Sequence, residues 1–184
     1  LTLGEKSYFL SGGDILVNAS GNVEIGSSTK TTAYFSALAG SIIITGATPD
    51  ISTFILGPGS YLVSADEITI NAVDGYILYA GAYIDNTSGS SNIYLAPIGT
   101  STAAMTLYEN AKVLSGGALT AGSKSIALTG HSTIPAYFQA VDTIIATSSA
   151  GNIDLETNSY FISSAGNISA TATGGDLTLA AKSY

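Results

Sequence analysis

Residues 159–179 read Ser-Tyr-Phe-Ile-Ser-Ser-Ala-Gly-Asn-Ile-Ser-Ala-Thr-Ala-Thr-Gly-Gly-Asp-Leu-Thr-Leu. Three short alternating segments, Ser159-Tyr160-Phe161, Ile168-Ser169-Ala170 and Leu177-Thr178-Leu179, are separated by Ser, Gly, Asn and Asp, the punctuation of strands and turns. Outward from this stretch the same three segments return along the whole chain. The first recurs as Ser7-Tyr8-Phe9, Ala33-Tyr34-Phe35, Ser60-Tyr61-Leu62, Ala82-Tyr83-Ile84 and Ala136-Tyr137-Phe138, with Ala111-Lys112-Val113 as a degenerate copy. Coil starts near 7, 33, 60, 82, 111, 136 and 159 are spaced by 22 to 29 residues, a period that marks a solenoid.

The second segment recurs as Ile15-Leu16-Val17, Ile42-Ile43-Ile44, Ile68-Thr69-Ile70, Ile93-Tyr94-Leu95 and Ile144-Ile145-Ala146. The third recurs as Val23-Glu24-Ile25, Phe54-Ile55-Leu56, Tyr76-Ile77-Leu78, Met105-Thr106-Leu107 and Ile153-Asp154-Leu155. In the least regular repeat, 111–135, Leu119 and Ile126-Ala127-Leu128 take these places. No 3.6-residue period is sustained and β-branched residues dominate the apolar positions, so no helix is expected. Three short strands and three turns fill a coil of about 25 residues. The expectation is an all-β fold, a single-chain, three-sided parallel β-helix of about seven coils, forming one domain over 1–184 without terminal caps. A barrel or sandwich has no reason to return in phase seven times.

Alternation within strands assigns the faces. Phe9, Phe35, Leu62, Ile84, Val113, Phe138 and Phe161 form an always-apolar column and are expected inside. The tyrosines one position out of phase with the core, Tyr8, Tyr34, Tyr61, Tyr83, Tyr137 and Tyr160, are expected to stand outside as a ladder interrupted at Lys112. Such a row is a candidate for lateral contacts or glycan binding, or simply stabilises the solenoid.

Composition narrows function. Charged residues make up 10% of the chain, the net charge is −8 and the only cations are five scattered lysines, which disfavours nucleic acid and anionic membrane surfaces. No apolar run is long enough for a membrane span. There is no Cys, so no disulfide framework or thiolate chemistry. The sequons at Asn18, Asn86 and Asn167 are candidate glycosylation sites.

Catalytic groupings are sparse. Asp154 and Glu156 are the best outward carboxylate pair, but nothing recurs around them, and His131 is the only histidine. Asp66, Glu67 and Asp74 are a weak calcium candidate. Pectate-lyase-like chemistry calls for Arg, and this chain has none. No catalytic residue, metal or cofactor is expected.

The units Gly13-Asp14-Ile15-Leu16-Val17, Gly21-Asn22-Val23-Glu24-Ile25, Gly151-Asn152-Ile153-Asp154-Leu155, Gly166-Asn167-Ile168 and Gly175-Asp176-Leu177-Thr178-Leu179 resemble two groups of β-structured repeat. One is the β-helical stalk of filamentous-haemagglutinin-like and autotransporter-like surface proteins; the other is the repeat of phage tail spikes and fibres. The resemblance implies a structural role, at a cell surface or appendage or in a virion, and assigns no functional residue. Residues 1–8, Leu-Thr-Leu-Gly-Glu-Lys-Ser-Tyr, match 177–184, Leu-Thr-Leu-Ala-Ala-Lys-Ser-Tyr, in phase. The leading expectation is therefore a non-enzymatic subunit or segment of an extracellular filament whose solenoid continues end to end, either because subunits stack with the chain itself as partner or because these residues are a window on a longer repeat chain. A trimeric virion fibre, spike or decoration protein is the alternative, and a glycan-binding adhesin a third reading.

Overall fold

The computed structural model describes residues 1–26, 32–46, 51–95 and 104–183; Tyr184, the last tyrosine of the repeat, lies outside them. The first segments pair into a seven-stranded sheet, the second into another of seven and the third into one of eight, every pairing between successive coils parallel. The chain is a three-sided β-solenoid, as its periodicity predicts. Among the described residues there is no helix long and apolar enough to cross a membrane.

Register follows the columns read from the sequence. In the first sheet Tyr8, Tyr34, Tyr61, Tyr83, Lys112, Tyr137 and Tyr160 are successive partners. In the second sheet Ile15, Ile42, Ile68, Ile93, Leu119, Ile144 and Ile168 are in line. The irregular repeat is in phase too, since Ile126 pairs with Met105 and Ile153 in the third sheet.

The inward columns make one continuous core, in which Phe35, Phe54, Phe138, Ile42, Ile68 and Leu56 are completely buried. Each such side chain contributes about 1.5–3 kcal/mol by leaving water. Tyr76 is also completely buried, and its hydroxyl is satisfied there: it donates to the Ile70 carbonyl at 2.8 Å and accepts from the Ala72 amide at 3.1 Å.

The corners explain the punctuation. Before several strands of the first sheet a turn closes with a hydrogen bond: Ser60 N to Gly57 O, Ala82 N to Tyr79 O, Ala111 N to Tyr108 O and Ser159 N to Glu156 O. Its third residue is left-handed: Gly59, Gly81, Asn110 and Asn158 have φ of 67°, 75°, 60° and 59°. That is type II turn geometry, which Gly and Asn tolerate best. The turns stack as well, with Gly81 N donating to Glu109 O and Asn110 N to Pro135 O in the next coil.

The Gly-Asn/Asp units work at the other two corners. A side-chain oxygen reaches up to a backbone amide one coil on: Asp14 to Ser41, Asn92 to Ala118 and Asn152 to Asp176, at 2.8, 2.8 and 3.0 Å. The glycine of the upper coil leaves room for it. A Cβ on Gly40 would lie 2.5 Å from Asp14 Oδ1 and from the Gly13 backbone, and one on Gly117 would lie 2.6 Å from Asn92 Oδ1 and Ser90 O. Neither glycine is left-handed, so close approach alone selects it.

Gly40→Ala is therefore expected to lower stability by roughly 2–4 kcal/mol, because backbone atoms must move apart. Gly12→Ala, with no atom within 4 Å of its Cβ position, stays within about 0.5 kcal/mol of the parent. Urea unfolding midpoints at unchanged slope provide the check.

Candidate functional site

The tyrosine ladder is the most ordered feature of the outer surface. A column of identical side chains on parallel strands places its rings one strand spacing apart. The ring centroids of Tyr8–Tyr34, Tyr34–Tyr61 and Tyr61–Tyr83 are 5.1, 4.7 and 4.9 Å apart, with interplanar angles of 7°, 5° and 10°. Tyr137 and Tyr160 stack at 4.9 Å and 20°. Lys112 bridges the break, its Nζ 5.5 Å from the centre of the Tyr83 ring, within cation–π reach.

This geometry decides which part of each ring is available. Neighbouring rings cover one another's faces, so the row presents edges and hydroxyls to solvent, whereas sugars stack on open aromatic faces. Tyr8, at the end of the row, is the most open at 57% exposure. Burial raises the phenol pKa of Tyr61, Tyr83 and Tyr137 above the usual 10.0; Tyr34 adds to the effect at Tyr61, Tyr61 and then Asp85 at Tyr83, and Asp85 at Tyr137.

A second stacked pair escaped the sequence reading. Tyr79 and Tyr108 lie 5.4 Å apart at 5° beside a shallow groove of about 300 Å³ that also touches Pro58, Glu109 and His131. The signal was there: each tyrosine directly follows the last leucine of a third segment, Leu78 and Leu107.

The other candidates are dispersed. His131 sits in an exposed turn closed by mutual backbone bonds with Ile134, and its ring is 3.3 Å from Ser132 Oγ. The strand partners of Asp154 are Ala127 and Thr178, so no second carboxylate faces it across the sheet. Asp66 accepts from Ser91 Oγ and Glu67 from Thr69 Oγ1, both within the coil surface. Among the described residues no group of three His, Asp or Glu is placed to hold a metal ion.

Of the sequons, Asn18 and Asn167 are exposed. Asn86 is not. It is completely buried, its Nδ2 donates to the carbonyls of Asp66, Ser91 and Asn92, and its Oδ1 accepts from Gly116 N. The folded chain leaves no face of that amide for a glycan, because Asn86 serves as the polar post of a corner.

Comparison with protein-family models, with curated proteins and with solved structures gives no match to this chain.

Two outcomes follow from these positions. Asn86→Ala removes the side-chain partner of Asp66 O and Gly116 N at a buried corner, while Ser91 O and Asn92 O keep Ser115 Oγ and Ile68 N, and is expected to cost about 2–4 kcal/mol, against less than about 0.5 for Asn18→Ala, by chemical denaturation. For the raised phenols, stability is unaffected while folded and unfolded states are both protonated. It falls as pH rises past 10.0, where the unfolded chain ionises first. The variant Tyr61→Phe/Tyr83→Phe/Tyr137→Phe is expected to lose less stability than the parent between neutral pH and that alkaline range, measured by thermal melts across pH.

Proposed function

We propose that this chain is a structural, non-enzymatic β-solenoid element of an extracellular or cell-surface filament, continuing end to end through further rungs. The observation that carries this reading is the state of the two end rungs. Residues of the inward columns lie open at both: Phe9 is 46% exposed at one end, and Ile168, Leu177 and Leu179 are 47%, 49% and 56% exposed at the other. Apolar columns and unpaired strand edges of this kind are satisfied by another rung of the same phase.

Two further features support it. The surface is poor in charge, with 10% charged residues, and so opposes association weakly. The ladder tyrosines spend their ring faces on each other, which fits a stabilising role better than a glycan platform. The likeness of the Gly-Asn/Asp units to surface-stalk and phage-fibre repeats agrees with a structural role. A cell-surface filament is the preferred setting because one chain closes each coil by itself, with no need for the three-chain winding of spikes.

The test is association of the purified chain, by light scattering across concentration and by electron microscopy. Growth into unbranched fibres about one solenoid wide is expected. A folded chain that stays monomeric at high concentration contradicts the reading.

A further inference from the structure

Oxidation of a protein surface falls first on Cys, Met, Trp and Tyr, and this chain has narrowed the choice. It has no Cys and no Trp, and its one methionine, Met105, is completely buried. The oxidisable side chains left at the surface are tyrosines, and most of them are stacked. Tyr8, Tyr34, Tyr61 and Tyr83 form one stack, Tyr137 and Tyr160 a second, and Tyr79 and Tyr108 a third. Tyr94 stands apart between Thr69 and Thr120, and Tyr76 is buried with its hydroxyl hydrogen-bonded to the Ile70 carbonyl.

We propose that the tyrosine stacks are modification sites, at which a one-electron oxidant of the peroxidase type joins tyrosines of successive coils as dityrosine. This is independent of the filament reading. Each phenol gives up one electron and its hydroxyl proton, leaving a radical whose spin lies partly on the ring carbons beside the C–O bond. Two neighbouring radicals form a bond between those carbons, and the two hydrogens there pass through solvent to restore the hydroxyls. The pair has then lost two electrons and two protons, which one hydrogen peroxide takes up to become two waters.

The geometry decides which pairs react. Centroids 4.7 to 5.1 Å apart, with planes within 10° of parallel, bring like carbons of adjacent rings in the first stack to about the same separation. A radical there has its partner held beside it, so coupling within the chain outruns encounter between dilute chains. Lys112 sets the limit. Tyr83 and Tyr137 both pair with it and stand two strand spacings, about 9.6 Å, apart. Each bond links successive coils across 22 to 29 residues and restrains the unfolded chain as a disulfide does.

The 184-residue chain, treated at micromolar dilution with peroxidase and hydrogen peroxide, tests this. Monomer isolated by gel filtration is read by dityrosine fluorescence and by mass mapping of its peptides. Expected are links 34–61, 61–83, 79–108 and 137–160, each lowering the mass by two hydrogens, with none between Tyr83 and Tyr137 and none at Tyr94. Tyr34→Phe/Tyr83→Phe/Tyr108→Phe/Tyr160→Phe keeps the ring packing but leaves no two stacked tyrosines adjacent, so monomer fluorescence falls about tenfold or more, whereas Tyr94→Phe leaves it unchanged. Lys112→Tyr adds links to Tyr83 and Tyr137. Links that fall at random, Tyr94 included, dityrosine found only between chains, or no dityrosine at all overturns the proposal. Each of these is read from the parent chain, whether or not a variant folds.

Discussion

A pair of parallel strands keeps its backbone donors and acceptors satisfied only while the two stay in register, and a three-sided coil must preserve that register around three corners. Here the corners hold it. At one, a left-handed Gly or Asn closes a turn whose amide bonds to the turn of the next coil. At the others, an Asp or Asn oxygen of one coil takes the backbone amide of the next, and a glycine above leaves room for it. A slip of one residue would unpair these bonds and send every inward side chain to the surface.

Once register is held, identical side chains must pile up in columns, and the remaining features follow from that. Inward columns become a continuous apolar core with Tyr76 as its one buried hydroxyl-bearing ring among the described residues. The outward tyrosine column becomes a stack with rings 4.7 to 5.1 Å apart, broken where Lys112 replaces a ring by a cation over its neighbour. The same rule leaves the inward columns open at the first and last described rungs, at Phe9, Ile168, Leu177 and Leu179.

The columns were legible in the sequence because a period of two inside strands and one of about 25 between coils are both one-dimensional signals. The position of Lys112 among the tyrosines and the phase of Leu119 and Ile126 in the irregular repeat could be read in this way. The corners were legible only as a motif. Gly-Asn and Gly-Asp recurred visibly, but the reason, an oxygen rising into the glycine of the next coil, exists only once coils are stacked. Asn86 shows the opposite failure: a local Asn-Thr-Ser pattern says nothing of burial, and the residue is an interior post. Ring orientation was hidden too, because the sequence places tyrosines on a face without saying that they cover one another's faces.

Stacking of coils at a constant rise is the central claim, and the chain's lack of cysteine makes it directly measurable. The outward column beside the tyrosines runs Leu10, Ser36, Val63, Asp85, Leu114, Gln139 and Ile162, one residue per coil. Spin labels on cysteine at position 10 paired with 114, 139 or 162 span four, five and six coils. Pulsed electron paramagnetic resonance should then give separations rising linearly through about 19, 24 and 29 Å, or about 4.8 Å per coil. Distances that fail to rise with coil number, as in a closed barrel or a sandwich, would contradict the stacked solenoid outright.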